Sequence, residues 1–497
     1  MDRAQKYLKQ LKQLRAKPVI ANQSQHVVII GAGMAGLSCA SELTKLGYKV
    51  TLIEADSFHI GGRVRTFRDK NIESTNSMYI ELGAMRIPTS HTLTRLYAQE
   101  QGLTFRKFVQ ENDKCWAYIR NTRVQRNQQG LESLKGLFQL SLNEKSMSAD
   151  DMWESAVTSV VDALSEAEIK DLYNTTFKTP KIQALDGISL MTAFQNAGLS
   201  QEAIEYLSSV YGVGTLLHSA FTEHLREELE RIWIDGFDEI VGGSDLLPKQ
   251  LYQSIKEKVI LLQGSYVNKV EPSGSKVNTY YTDSSKIQKK VVSDWVICTV
   301  PLGALTRIDL NQVISNTKSR AMRQVSYDSS TKVVVKCSKR FWELSDGIYG
   351  GGSIWDGGLG HTWYPSDNAE LKNKSVSNSP AYLLASYTWG QQARRIDALH
   401  QQDVKPFIIE QLKKIHPHLN ENDITSVIRW NWTNFSLTSG AFAFFNPSEQ
   451  SNYYAHLKST DEKFILAGEH CSLAHSWIQG ALESSVDAVS QIHSQSL

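Results

Sequence analysis

Gly31, Gly33 and Gly36 stand in a G-x-G-x-x-G spacing directly behind a β-branched run, Val27 to Ile30, and Glu54 follows eighteen residues after the last of them. Each residue type has a job in holding a dinucleotide. Gly31 permits a tight turn, Gly33 lets the backbone approach a pyrophosphate, and Gly36 lets the following helix pack on the strand. The helix N-terminus supplies free N–H groups and partial positive charge for the diphosphate. Glu54 can accept hydrogen bonds from a ribose diol, and its charge argues against a 2′-phosphate there. Beyond it, Gly61 and Gly62 precede Arg63 and Arg65, so the backbone can pass close to a ligand where guanidinium groups meet phosphate. Arg86 stands among Gly83, Ala84, Met85 and Ile87. A guanidinium in such company must be paired if it is buried, with a structural carboxylate or with that of a ligand.

These groups need elements to position them. Val27 to Ile30 reads as a buried parallel strand; Leu37, Ala40, Leu43 and Leu46 keep helical spacing until Gly47; and Val50 to Ile53 forms a second strand. Further short strands are expected at 259–263, 266–270, 277–281, 295–299 and 464–468, with a last helix over 479–489. Residues 331–336 read as a strand that carries Lys332 among apolar neighbours, where a lysine ordinarily snorkels to water. Residues 363–365 and 381–387 read as strands too, and 140–235 as mainly helical. Residues 4–17 form a basic amphipathic helix, able to lie on an anionic membrane or to dock on its own protein. Its shortness and single aromatic favour docking, and 21–25 reads as a polar linker.

The chain has 497 residues, enough for two or three domains. Lys+Arg 53 against Asp+Glu 52 leaves a net charge of +1, which implies no bulk attraction to nucleic acid. The five cysteines, Cys39, Cys115, Cys298, Cys337 and Cys471, are scattered with no CxxC pair, which suits a reducing compartment. With no signal-type apolar core before Val27 and no window of about 18 apolar residues, a cytoplasmic protein without a membrane partner is expected, leaderless export being the alternative. His218, His224, His470 and His475 show no metal spacing.

Taken together, Gly31 to Gly36 with Glu54, the segment from Gly61 to Arg65, the block from Gly83 to Pro88 and the C-terminal run from Ala467 to Ser484 resemble the flavin-containing amine oxidases. The Gly-Ala-Met-Arg-Ile-Pro block is similar to the L-amino-acid oxidase version. That resemblance implies an α/β fold with an α+β substrate domain. A Rossmann-like FAD-binding domain would take 25–70, 237–312 and 455–497, a mixed-sheet substrate-binding domain 71–125 and 313–454, and a helical domain 126–236, with 1–24 as helix and linker. The activity implied is FAD-dependent oxidative deamination of L-amino acids to 2-oxo acids, by hydride transfer from the α-carbon to flavin N5, with release of ammonia and, from molecular oxygen, hydrogen peroxide.

The resemblance also assigns roles. Arg86 would clamp the substrate carboxylate as the pocket's sole fixed cation, and the Tyr364 hydroxyl would help it. Trp477 would wall the reacting carbon, the Ser476 carbonyl would accept from the amine, Lys332 would hold a water against N5, and Trp233 and Asp235 would neighbour the substrate side chain. The cofactor would meet Gly62, Arg63, Gly83, Ala84, Met85 and Arg86, the Val267 backbone at the adenine, Gly468, Glu469 at the ribityl chain, and Trp477 with the N–H groups from Ile478 onward at the ring. Ala441 stands where monoamine oxidases carry the flavin-bound cysteine, so the FAD is expected to be non-covalent. A homodimer is the family's default. Other readings are a polyamine-type amine oxidase, a quinone-linked L-amino-acid dehydrogenase, and a nucleotide-binding protein without catalysis.

Overall fold

The computed structural model describes residues 3–19, 25–69 and 78–496; the linker residues 21–24 lie outside them. The strands His26–Ile30 and Lys49–Glu54 are buried along almost their whole length, as befits strands covered on both faces. They pair in parallel with each other, and with Val259–Gln263 and Trp295–Cys298, while Phe464–Leu466 closes the far edge. In chain order the five strands lie third, second, first, fourth, fifth. This is the doubly wound Rossmann-like arrangement. Its switch point falls between His26–Ile30 and Trp295–Cys298, where ligands bind beyond the carboxyl ends of the strands.

The helix Met34–Lys45 packs on this sheet, with Leu37, Ala40 and Leu43 fully buried against Val27, Ile29 and Leu52. Gly36 makes that approach possible, because a Cβ there would lie 2.0 Å from the Gly31 carbonyl oxygen. Gly36→Val should therefore destabilise the fold by about 3 kcal/mol or more. Urea denaturation monitored by circular dichroism measures it, and an unchanged midpoint would show that the turn can open without cost.

A second sheet has seven strands, in the order Ile424–Asn431, Ser330–Cys337, Ala381–Trp389, His361–Tyr364, Gly351–Trp355, Trp116–Ile119, Thr122–Gln125. It is antiparallel except where Gly351–Trp355 meets Trp116–Ile119. A three-stranded meander, Tyr266–Ser273, Lys276–Thr282 and Gln288–Ser293, leans on the first sheet. Short helices between Gln128 and Leu229 build a separate apolar core around Phe194, Tyr206, Leu207 and Phe221. The strand Phe237–Ile240 pairs with Ile87–Pro88 and Phe105–Phe108, away from the dinucleotide sheet, although 237–312 is expected to belong with that sheet.

The N-terminal helix Arg3–Arg15 docks on its own protein. Tyr7, Leu11 and Leu14 are buried in the same core as the first sheet. Arg3 is buried too, between Glu230 at 2.7 Å and Glu483 at 3.2 Å. The apolar stripe that could have met a membrane is spent inside the fold. No helix among the described residues is long and apolar enough to cross one.

Candidate functional site

A cavity of about 910 Å³ runs from the switch point of the first sheet to the face of the second. At one end lie Gly31, Gly33, Glu54, Gly62, Arg63 and Val267; at the other lie Arg86, Lys332, Trp363, Tyr387 and Trp477. Gly83, Ala84, Met85, Gly468, Glu469, Ser476 and Ile478 line it between. The sequence thus brings nearly all its candidates to one wall-to-wall space.

An adenine dinucleotide fits the residues of the first end. Gly31 has φ +100°, a region open to glycine, and a Cβ on it would come 2.6 Å from the Thr299 hydroxyl. Gly33 caps the helix Met34–Lys45 with no side chain bonded to the first turn, so the N–H groups there remain for a ligand. Glu54 accepts from the Ala32 and Asp56 backbone N–H groups at 2.7 Å, which fixes its carboxylate at the cavity wall. Val267 sits at a register shift in its ladder, where the pairing opens locally. Gly36 stays outside the lining, and its part is helix packing.

Two cofactor assignments read differently in three dimensions. Arg63 donates to Glu469 at 2.8 Å and to the Ala441 carbonyl at 2.9 Å, and Arg65 is paired with Asp56. Both guanidinium groups are tied to protein acceptors and both also line the cavity. Glu469 likewise accepts from Arg63, the Tyr327 hydroxyl and the Ala443 and Ser476 N–H groups. Burial works against its charge, and Arg63 with the nearby histidines outweighs burial, so the carboxyl stays below the usual range. Its role is to pin Ser476, which sits at φ +67°. All five cysteines are free and buried, and Ala441 lines the cavity.

At the other end Arg86 has no carboxylate partner among the described residues. Its Nη1 donates to the Gln110 side-chain oxygen at 2.9 Å. Aromatic rings box it in: Trp233 and Trp363 at 5.0 Å, Phe237 at 5.1 Å and Phe108 at 6.0 Å. Burial lowers its pKa to about 10, which leaves it a cation at neutral pH. Such a site favours any anion that reaches it.

Tyr364 does not belong to the site. Its hydroxyl bonds Ser353 at 2.9 Å and His416 at 2.8 Å in a sealed core. Side chains alternate across a strand, so His361 and Trp363 face the cavity while Thr362 and Tyr364 face away. Tyr387 on the neighbouring strand faces Arg86 instead.

Asp235 is a surface residue paired with Arg231 at 2.9 Å. Among the acids in the lining is Glu227, whose carboxylate accepts from Trp233 Nε1 at 2.9 Å. Burial raises its pKa, and its charge reaches Arg86. Trp233 does line the cavity mouth, and Trp477 stacks on Phe237 and meets His91 edge-on.

Lys332 lines the cavity beside a register shift at Val333–Val334. Its Nζ donates to the Glu81 and Gly83 carbonyls, at 3.1 and 2.7 Å, and lies 3.5 Å from the Met85 sulfur. These contacts hold the ammonium at the cavity wall. The ammonium braces the segment that carries Arg86. Burial lowers the pKa of Lys332 and raises that of Glu81 behind it.

Arg126, which sequence reasoning did not single out, also lines the cavity, so Arg86 is not its sole fixed cation. Arg126 follows the edge strand Thr122–Gln125, in a run with no apolar periodicity to mark it as inward-facing.

Residues 34–493 match the family model described as flavin containing amine oxidoreductase. Similar curated proteins include an L-amino-acid oxidase of Siganus canaliculatus, 31% identical over 482 residues, covering 96% of this chain and 86% of that one. Another is an L-amino-acid oxidase of Gloydius halys, 30% identical over 476 residues, covering 94% and 89%. Among solved structures, cyclohexylamine oxidase from Brevibacterium oxydans IH-35A superposes with a TM-score of 0.72 at 18% identity, covering 95% of this chain and 99% of that one. Putrescine oxidase bound to putrescine does so with a TM-score of 0.68 at 17% identity, covering 95% and 99%. At these identities the two structures speak for the fold alone.

Proposed function

The chain belongs to the flavin-containing amine oxidoreductase family, and from that premise we propose that it oxidatively deaminates L-amino acids to 2-oxo acids with molecular oxygen as the electron acceptor. The observation that carries the substrate class is Arg86: a guanidinium kept charged inside an aromatic box, with an amide oxygen as its one hydrogen-bond partner among the described residues. A plain amine gives such a group nothing to bind. An α-carboxylate gives it a bidentate pair.

FAD held between Gly31, Gly33, Glu54 and Trp477 would supply the two-electron acceptor for the α-carbon, with molecular oxygen as the final acceptor and hydrogen peroxide as its product. The chain's own residues bind and orient. Arg86, fixed by Gln110 and the surrounding rings, sets the carboxylate end of the substrate. Tyr387 faces the same charge and takes the part expected of Tyr364. Glu227, which accepts from Trp233 and whose charge reaches Arg86, lines the same end of the cavity. Trp477 and Phe237 form a flat wall, and Lys332 keeps Gly83 to Met85 from shifting. Fixing the carboxylate end of the amino acid against that wall presents the α-carbon in one orientation, which is where positioning contributes most.

Anaerobic mixing of the yellow protein with L-amino acids, D-amino acids and the matching decarboxylated amines tests the reading. Bleaching by the L-amino acids alone is expected; bleaching by the simple amines would move the protein among the amine oxidases that need no carboxylate. With alanine at 441, the FAD is held without a covalent bond. Acid precipitation should therefore leave all the yellow colour in the supernatant, and colour that stays with the pellet would contradict it. A homodimer belongs to the same reading, and sedimentation of the holoenzyme checks it.

A further inference from the structure

The cavity lining holds a second guanidinium, Arg126, whose charge reaches Arg86, together with the carboxylates of Glu111, Asp150, Glu227 and Glu228. Arg126 reaches the cavity from beyond the Thr122–Gln125 strand, with its backbone N–H held by the Cys115 carbonyl and its Nη1 by the Gly352 carbonyl at 3.0 Å. Among the described residues its guanidinium bonds no carboxylate. A guanidinium has five donors, and hydrogen-bond partners among the described residues engage one of them, through the Gly352 carbonyl. Burial lowers its pKa, against the opposing field of Glu111.

The acids nearby are already engaged with neutral donors. Asp150 accepts from the Tyr211 hydroxyl, Glu228 from Trp153 Nε1 at 3.2 Å and Thr158 at 2.8 Å, and Glu227 from Trp233. Glu111 is the acid whose field reaches Arg126, but it is exposed and makes no hydrogen bond to it. Meanwhile Arg126 and Arg86 face a common space. The charge of Arg126 opposes that of Arg86, and both act on His361, which burial holds neutral with a pKa of about 3. Residues 108–111 connect them: Phe108 and Gln110 touch Arg86, and Glu111 lies toward Arg126.

Arg126 and Arg86 oppose each other's charge, each with a neutral oxygen as its hydrogen-bond partner among the described residues, and an anion on each would relieve that opposition. We propose that Arg126 binds the side-chain carboxylate of a dicarboxylic L-amino acid, aspartate or glutamate, whose α-carboxylate rests on Arg86. This assignment depends on the oxidase reading above and sharpens it to a substrate class. A neutral side chain leaves Arg126 without a partner, and a lysine or arginine side chain meets a like charge.

The test compares kcat/KM for L-glutamate, L-aspartate, L-glutamine, L-methionine and L-lysine, in the wild-type holoenzyme and in Arg126→Gln. The acid over its amide should be favoured by about 10- to 100-fold in the wild type, the range of one charge-assisted hydrogen bond. In Arg126→Gln that ratio should collapse toward unity. A second readout needs no turnover: glutarate, which cannot be oxidised, should perturb the flavin spectrum at a concentration about 10-fold or more below butyrate in the wild type, and at a similar one in the variant. Wild-type enzyme that prefers methionine or lysine, or a variant with an unchanged acid-to-amide ratio, would overturn the role of Arg126 and leave the oxidase standing. No bleaching with any L-amino acid would overturn both.

Discussion

Arg86→Met should lower kcat/KM for L-amino acids by roughly 10³-fold while leaving the protein as stable as before or more so. The bidentate pair that Arg86 offers a carboxylate comprises two charge-assisted hydrogen bonds at about 1.5–3 kcal/mol each, and their loss corresponds to roughly 10²- to 10⁴-fold. Both KM and kcat should suffer, because the carboxylate is the handle that aims the α-carbon. Stability should move the other way. In the free protein the guanidinium is desolvated, its nearest acceptor is the Gln110 amide, and the charge of Arg126 opposes it. Replacing such a cation by an apolar chain of similar length removes an unfavourable burial. Steady-state kinetics with paired thermal melts decides the matter. Arg86→Lys keeps the charge but not the fork, and should recover only about tenfold of the loss. A variant of full activity would place the carboxylate elsewhere; one that melts far below wild type would make Arg86 a structural ion-pair member.

How much of this was legible in the chain depends on what the signal was made of. The dinucleotide crossover was readable because its constraints are local: Gly36 must lack a Cβ 2.0 Å from the Gly31 oxygen, and Glu54 must end the second strand. The C-terminal strand and helix followed the same logic, with the helix Ile478–Ser496 running past its expected end. The substrate sheet was readable as strands but not as faces. Trp363 and Tyr364 are adjacent aromatics in an apolar run, and only the pairing of Trp363 with Leu384 and of His361 with Tyr387 says which of them looks into the cavity. Of the two tyrosines, Tyr387 lines the cavity and Tyr364 is buried away from it. Asp235 and Glu227 pose the same difficulty on a helix end, where the chain leaves Phe221–Leu229 through a loop whose direction no periodicity announces. Arg126 carries no pattern at all; two distant carbonyls and the cavity between two sheets define it.

The N-terminal helix shows the opposite case, since its amphipathic pattern was plain and its partner was not. Arg3 supplies that partner's identity. It joins Glu230, beside the cavity wall at Trp233, to Glu483 on the last helix, whose Gln479 holds the N–H groups of Leu93 and Thr94. Arg3→Met should destabilise the protein by about 3–5 kcal/mol at pH 8, the cost of leaving buried carboxylates without their cation.

The pH dependence carries the diagnosis. Burial pushes the Glu483 carboxyl up to about 7, with Arg3 as the largest opposing influence. A carboxyl raised in the folded state stabilises below its unfolded value of 4.5 and loses that contribution as pH rises through about 7. Without Arg3 the folded value climbs further, so the variant should hold a steady gap from wild type between pH 5 and about pH 7, where Glu483 is protonated in both, and fall away from it between pH 7 and pH 9. Urea midpoints across that range measure the divergence. A constant gap would mean that Arg3 matters for packing alone, and Arg3→Lys, which restores charge without the two-armed reach, separates the two by recovering the slope but not the whole midpoint.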